Sequence, residues 1–308
     1  MATTQVDGTD AQPPPGAPRR RIPMALVTWA FVILILLLVV LLLVVKITRG
    51  TTTVKPPPVT PAAAAVVRAA TTVPGRVFDA VGAPQPGDSG DALVSGQAPL
   101  TLNGHPAVVF VGAEFCPYCA AERWALVVAL GRFGTFTHLG ATSSSSAEIF
   151  PGTPTFSFDG TTYRSRFLTL SAVEEYGGSP SGTVAPGFPE LRGLTATQAG
   201  LVRRFDGPPY VPGNGVLPFV DIGNRFVESG AGLGFSPGLF QGLSMSEVAD
   251  DLSEPSTAVA QAVVGAANRL TAALCAVTGQ RPGAVCDSAG VRAGDDRLGL
   301  PHPSTGSR

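Results

Sequence analysis

The junction between a strand and a helix near residue 116 limits the fold of this chain more than any other feature. Val108-Val109-Phe110-Val111 is an unbroken apolar run closed by Gly112, the pattern of a buried strand. Cys116-Pro117-Tyr118-Cys119 follows within a few residues, and Pro117 to about Arg132 reads as a helix. Pro117 suits the first helical position, where a missing N–H costs nothing. Two cysteines three residues apart at such a junction are open to three readings: a redox dithiol, half of a metal site, or two inert buried thiols.

The remaining pattern extends the α/β order. Phe136–Ser143 reads as a second strand, and Thr153–Leu170 as a hairpin turning at Asp159-Gly160. Thr195 with Gln198 forms a capping box that opens a helix, and Ser244 with Glu247 forms another. Leu217–Gly230 is a second hairpin, turning at Gly223-Asn224. Ser256–Thr278 is a long apolar helix stopped by Gly279. Gln261, Asn268 and Arg269 interrupt it, which favours a core helix over a membrane span. Strands alternating with helices, then a terminal hairpin followed by helices, imply a mixed sheet flanked by helices.

The N-terminal third carries different signals. Met24–Val45 contains no charge and exceeds the roughly 20 apolar residues a bilayer-crossing helix needs. It is too long for a signal-peptide core, so we expect an uncleaved, single-pass anchor over residues 23–46. Arg19, Arg20 and Arg21 precede it and Lys46 and Arg49 follow, so the positive-inside bias leans only slightly towards a cytoplasmic N-terminus, and the large cysteine-bearing domain that follows adds to the case for a C-terminus outside. Residues 1–22 are rich in Pro, Gly and Thr and are expected to form a disordered cytoplasmic tail. Residues 47–75, with Pro56-Pro57-Pro58, are expected to form an extended linker. A domain over residues 76–291 and a flexible tail over 292–308 complete the expectation. The formal net charge is −1 and the only lysines are Lys46 and Lys55, so no basic surface suited to nucleic acid is expected.

Chemistry concentrates at the dithiol. A thiol at a helix start faces unpaired backbone N–H groups and the positive end of the dipole, which favour its thiolate. Cys116 is then the exposed nucleophile, and Cys119, one turn on, the resolving thiol. Zinc needs two further ligands; His105, His138 and His302 supply no H-x-x-x-H pair, and Cys275 and Cys286 are too far apart for a second C-x-x-C. No metal or other cofactor is expected. Glu114, Glu122 and Arg123 are candidates for tuning the thiol pKa values, although a solvated surface position is the plainer reading for each. Cys275 and Cys286 flank a Gly/Pro turn. Four cysteines allow three connectivities, and the local pairing 116–119 with 275–286 is the simplest. A structural disulfide at 275–286 and a second redox pair relaying electrons are both open, and the former requires an oxidising compartment.

From about Leu102 to Leu252 the chain resembles a thioredoxin-fold domain. "AVVFVGAEF", "CPYC" and the helix after them match its first βα unit, and "GVLPFVDIGNRFVESGAGLGFSPGLFQGLSMSEVADDL" matches its second half. With the anchor, the whole is similar to a group of membrane-anchored thioredoxin-like proteins classed as a domain of unknown function. The resemblance implies that Cys116 and Cys119 are the active cysteines. It also implies that Pro218 is a cis-proline against them and that Leu217 offers its backbone to a substrate strand. Two departures stand out: no tryptophan precedes Cys116, and Val108–Val111 lacks the family's buried carboxylate. The function expected is an anchored, extracytoplasmic thiol–disulfide oxidoreductase acting on protein thiols or disulfides, or coupled to a membrane redox partner. The alternative is a non-catalytic binding or scaffold domain whose C-x-x-C is a structural disulfide.

Overall fold

The computed structural model describes Trp29 and residues 31–41, 59–84, 90–178 and 187–301. The expected tail at 1–22 lies outside these residues, as does the expected span Met24–Val45 apart from Trp29 and 31–41. Within that span the described residues Phe31–Leu41 form an apolar helix, α1. The described residues between 59 and 301 form one compact unit.

Its centre is a mixed sheet. β4 (His105–Gly112) runs parallel to β9 (Thr169–Glu174) and antiparallel to β10 (Phe219–Ile222). β11 (Phe226–Ser229) continues the sheet antiparallel to β10, and β2 (Asp91–Leu93) closes that edge. A two-residue strand, β3 (Thr101–Leu102), folds back on the start of β4. The apolar run on β4 is unbroken because both faces are covered. Val108 and Phe110 point into a core shared with α4 (Pro117–Gly131) and α7 (Ala258–Thr278). Val109 and Val111 point the other way, towards Leu201 and Phe205 of α5 (Ala196–Phe205).

α4 is buried over nearly its whole circumference because it packs against α7, the sheet, α2 (Ala64–Thr71) and β7 (Pro154–Ser157). α7 is the one helix among the described residues long and apolar enough to cross a membrane, yet most of it is enclosed by the domain. Its polar residues have internal roles. Asn268 donates to the carbonyls of Phe78 and Gly82, closing the end of α3 (Gly75–Val81). Arg269 donates to the carbonyls of Gly232 and Leu233.

Three expectations are corrected here. Residues 60–75 are not an extended spacer. β1 (Thr60–Pro61) pairs with β6 (Gly140–Ser143), and α2 buries Val66 and Ala70. The alanine-rich run after the prolines forms a helix with an apolar face, and burial of that face fixes it. The start of the expected tail is also ordered. α9 (Ala289–Leu298) packs on α7 and α3, with Val291 buried. Its close approach depends on Gly290 and Gly294, where an added Cβ would stand 2.5 Å from the carbonyl oxygens of Phe78 and Asn268 respectively. Asp159-Gly160 is not the turn of a two-stranded hairpin. β7 pairs with β6, while β8 (Thr162–Ser165) pairs with β5 (Gly134–Thr137). Residues 134–165 therefore form one long antiparallel pair broken at a corner, where His138 at φ 59° faces the Asp159-Gly160 bend. The connecting loop is 144–153. The 195–205 helix, the 217–230 hairpin, and the α6 (Met245–Asp251) and α7 boundaries lie where their caps and turns predict.

Candidate functional site

The strand-to-helix junction places both thiols. Cys116 is the N-cap of α4, in an extended conformation, and its Sγ accepts the Cys119 N–H at 3.3 Å. The Cys116 N–H donates to the Ala113 carbonyl at 3.2 Å, and the Ser145 N–H donates to the Phe115 carbonyl at 2.9 Å. The 144–153 loop is thus tied to the dithiol loop. Opposite stands the Leu217–Pro218 peptide, which is cis, with the Leu217 carbonyl oxygen 3.8 Å from Cys116 Sγ. Aromatic rings frame the site: Phe115 stacks on Phe188 at 4.1 Å, and Tyr118 meets Phe150 edge-on at 6.1 Å.

Both thiols are free. Cys119 is fully enclosed; Cys116 retains 7 % exposure. The expectation of an exposed Cys116 is therefore corrected, because the Pro218 loop covers one side of its sulfur. The two thiols are polarised in opposite senses. The hydrogen bond with Cys119 lowers the Cys116 pKa, burial opposes this, and Arg123 assists it. Burial pushes the Cys119 pKa well up, and the proton shared with Cys116 adds to that. One sulfur is prepared to carry negative charge while the other keeps the proton.

The three residues proposed as modulators are not on the surface. Glu122 and Arg123 both lie one turn after Cys119 on α4, and the helix sends them to opposite edges of the sheet. Arg123 meets Glu174 at the end of β9 in a fully enclosed bidentate pair, Nε to Oε1 at 2.8 Å and Nη2 to Oε2 at 2.6 Å. Nη2 also donates to the Ala113 carbonyl at 2.8 Å, which ties the ion pair to the dithiol loop. Burial lowers the Arg123 pKa, but Glu174 and Glu114 more than offset it and the net shift is upward. Among the described residues the buried Nη1 has no acceptor. Glu114 takes a hydrogen bond from the Ser157 hydroxyl, and burial raises its pKa to about 7 against the pull of Arg123.

At the other edge Glu122 stands near Glu228 of β11 and Arg269 of α7. Burial, then the Glu228 charge, pushes the Glu122 pKa well up. Burial also raises that of Glu228, partly offset by Glu122 and Arg269. Among the described residues no donor reaches the oxygens of either carboxyl, so a proton held between the two is the inexpensive way to enclose them. No carboxylate lies on β4 itself; the buried acids near the dithiol are Glu114, Glu122, Glu174 and Glu228. Glu174, Glu228, Ser157 and Arg269 were not legible as site residues, since each looks like an ordinary polar residue in its own segment. Glu174 closes β9, whose sequence Thr169-Leu170-Ser171-Ala172-Val173 mixes polar and apolar residues, so it carried no local sign either.

Cys275 and Cys286 form a disulfide between the end of α7 and α8 (Gly283–Cys286), both fully enclosed. Among the described residues no three His, Cys, Asp or Glu side chains are grouped to hold a metal ion.

Fold and site together define a mixed α/β domain whose central strand delivers a vicinal dithiol to a helix start, beside a buried ion pair. Residues 92–184 match a domain family described as a domain of unknown function (DUF929), a stretch that includes Cys116 and Cys119. No curated protein and no solved structure matches the chain.

Proposed function

We propose that this chain is a membrane-anchored thiol–disulfide oxidoreductase with a thioredoxin-like domain, acting outside the cytoplasm on protein thiols or disulfides. The opposite polarisation of Cys116 and Cys119, set by their positions at the N-cap and in the first turn of α4, carries this reading. The strand order β9-β4-β10-β11, parallel then antiparallel, supports the thioredoxin-like part of it. So does the cis peptide at Leu217–Pro218 facing the dithiol. The buried disulfide Cys275–Cys286 supports an oxidising compartment, and the uncharged run Met24–Val45 supports the anchor.

In this reading a Cys116 thiolate attacks one sulfur of a substrate disulfide and forms a mixed disulfide, and the other substrate sulfur leaves as a thiol. Cys119 then attacks Cys116 Sγ, which releases the second substrate thiol and leaves Cys116–Cys119 oxidised. The reverse sequence oxidises a substrate dithiol. In the same reading Leu217, whose carbonyl lies 3.8 Å from Cys116 Sγ, offers its backbone to the substrate strand.

The test is differential alkylation of the folded, mildly reduced full chain with a small reagent, read by peptide mass spectrometry. Cys116 is expected to label well ahead of Cys119, and Cys119→Ser to accumulate a mixed disulfide with a thiol-bearing peptide. One observation favours the rival scaffold reading: the low exposure of both sulfurs. If neither cysteine labels until the protein unfolds, and the variant traps nothing, that reading replaces this one.

A further inference from the structure

The thiol–disulfide reading leaves open which way electrons flow, and the ion pair beside the dithiol bears on that. Arg123 is four residues beyond Cys119 on α4, so the two side chains lie on the same helix face. Side chains on a helix lean towards its N-terminus, which turns the guanidinium towards the dithiol end. Its other bonds fix it there: two to Glu174 and one to the Ala113 carbonyl in the dithiol loop. Among the described residues Nη1 has no acceptor, although Arg123 is fully enclosed. On the far side of Cys119, an added Cβ on Gly112 would stand 3.4 Å from Sγ, so the sulfur is confined between strand and helix.

We propose that Arg123, anchored on Glu174 and Ala113 with Nη1 unpaired, is the electrostatic partner of the dithiol and biases it towards its reduced, thiolate-bearing state, making the domain a disulfide donor to protein thiols. The inference rests on the thiol–disulfide reading above. A disulfide carries no charge, whereas its reduced form carries a thiolate; a fixed buried cation therefore stabilises only the reduced form and makes the pair easier to reduce. The same charge favours Cys119 as the sulfur that departs when Cys116 is attacked. The direction of the Arg123 contribution at both thiols agrees.

The step balances. A substrate thiolate attacks Cys116 Sγ, the Cys116–Cys119 bond breaks, and Cys119 leaves with the electron pair and takes a proton. A second substrate thiolate then attacks the substrate sulfur of the mixed disulfide and expels the Cys116 thiolate. The substrate loses two electrons and forms a disulfide, and the protein gains them. Return to the oxidised form requires a partner bearing a more oxidising disulfide, which accepts the two electrons.

The experiment equilibrates the full chain, purified in mild detergent, across glutathione redox buffers and counts alkylated Cys116–Cys119 peptide by mass spectrometry. Wild-type protein is expected to remain a dithiol in buffers oxidising enough to convert ordinary protein dithiols to disulfides. Arg123→Met combined with Glu174→Gln, which removes both charges together, is expected to shift the equilibrium constant tenfold or more towards the disulfide, at ~30 mV per tenfold. Arg123→Lys keeps the charge but not the bidentate bonds to Glu174, and should shift the constant less than the double variant does. Glu174→Gln alone leaves the cation unneutralised and should move the constant the other way; general loss of packing would not separate the two variants in sign. Reversible exchange with a constant unchanged in the double variant, or shifted in the same direction by both, overturns the role of Arg123 while the thiol–disulfide reading stands. A wild-type pair that stays oxidised in mostly reduced glutathione overturns the donor assignment whether or not the variants fold. A pair that never exchanges overturns the reading beneath both.

Discussion

Replacing Glu114 by glutamine isolates the cost of enclosing a carboxyl beside the dithiol. The side chain is 2 % exposed. Burial is the largest influence on it, opposed by Arg123, and its pKa rises from 4.5 to about 7. In the unfolded chain it returns to its ordinary value, so the folded state binds the proton more tightly. Below the unfolded pKa both states are protonated and the contribution of the group is complete. Above that point stability falls with rising pH, by up to about 1.4 kcal/mol per unit, until the folded group has itself ionised. A difference of about 2.5 units, taken from the two values above, corresponds to a loss of roughly 3 kcal/mol between pH ~4.5 and pH ~7. Glu114→Gln resembles the protonated acid and does not titrate. Urea unfolding of both proteins from about pH 4 to about pH 8 gives the difference curve, in which the other buried acids cancel. Wild type is expected to lose about 3 kcal/mol relative to the variant across that window. A flat curve, or one that rises with pH, would refute the reasoning, because it would mean that the attraction of Arg123 outweighs desolvation.

Three further outcomes follow from the same structure. Glu122→Gln should lessen the loss of thermal stability as pH rises above the ordinary carboxylate range, since burial and then Glu228 raise the pKa of the folded acid; equal loss in both proteins would count against this. Cys275→Ser with Cys286→Ser opens a loop of sequence separation 11 and is expected to cost about 3 kcal/mol in denaturant unfolding, before any loss of packing. Trp124→Ala empties a fully enclosed site between α4 and β7, where the indole N–H meets the Pro154 carbonyl at 2.8 Å. A loss of ~3–5 kcal/mol is expected, and a loss under about 1 kcal/mol would mean that the site collapses around the change.

The features that were legible in the sequence are short-range ones. Thr195 caps α5 together with Gln198, and Ser244 caps α6 together with Glu247, because each bond spans three residues. Gly279 ends α7 in the left-handed conformation that glycine adopts at least cost. Pro117 and Cys116 set the start of α4, and so the dithiol sits where the pattern puts it. The strand pairing was less legible. Asp159-Gly160 has the chemistry of a tight turn, and the structure uses it as a bend because β5 and β6 already occupy the partner positions. Similarly, Ala64–Thr71 follows a run of prolines and Ala289–Leu298 leads into a polar tail, so each reads as linker or tail, and their order comes from packing against α4 and α7.

The sequence by itself determined the ends of the capped helices and that a dithiol opens a helix, since capping and proline geometry act within a few residues. Tertiary structure decided which charges are enclosed. Glu114, Glu122 and Arg123 read as surface residues because nothing nearby in sequence offers them partners. Arg123 finds Glu174, 51 residues away, and Glu114 finds Ser157, 43 residues away. A buried charge persists only where such a partner is delivered to it, and delivery depends on the register of β4 against β9 and on the seating of α4, which no local pattern encodes.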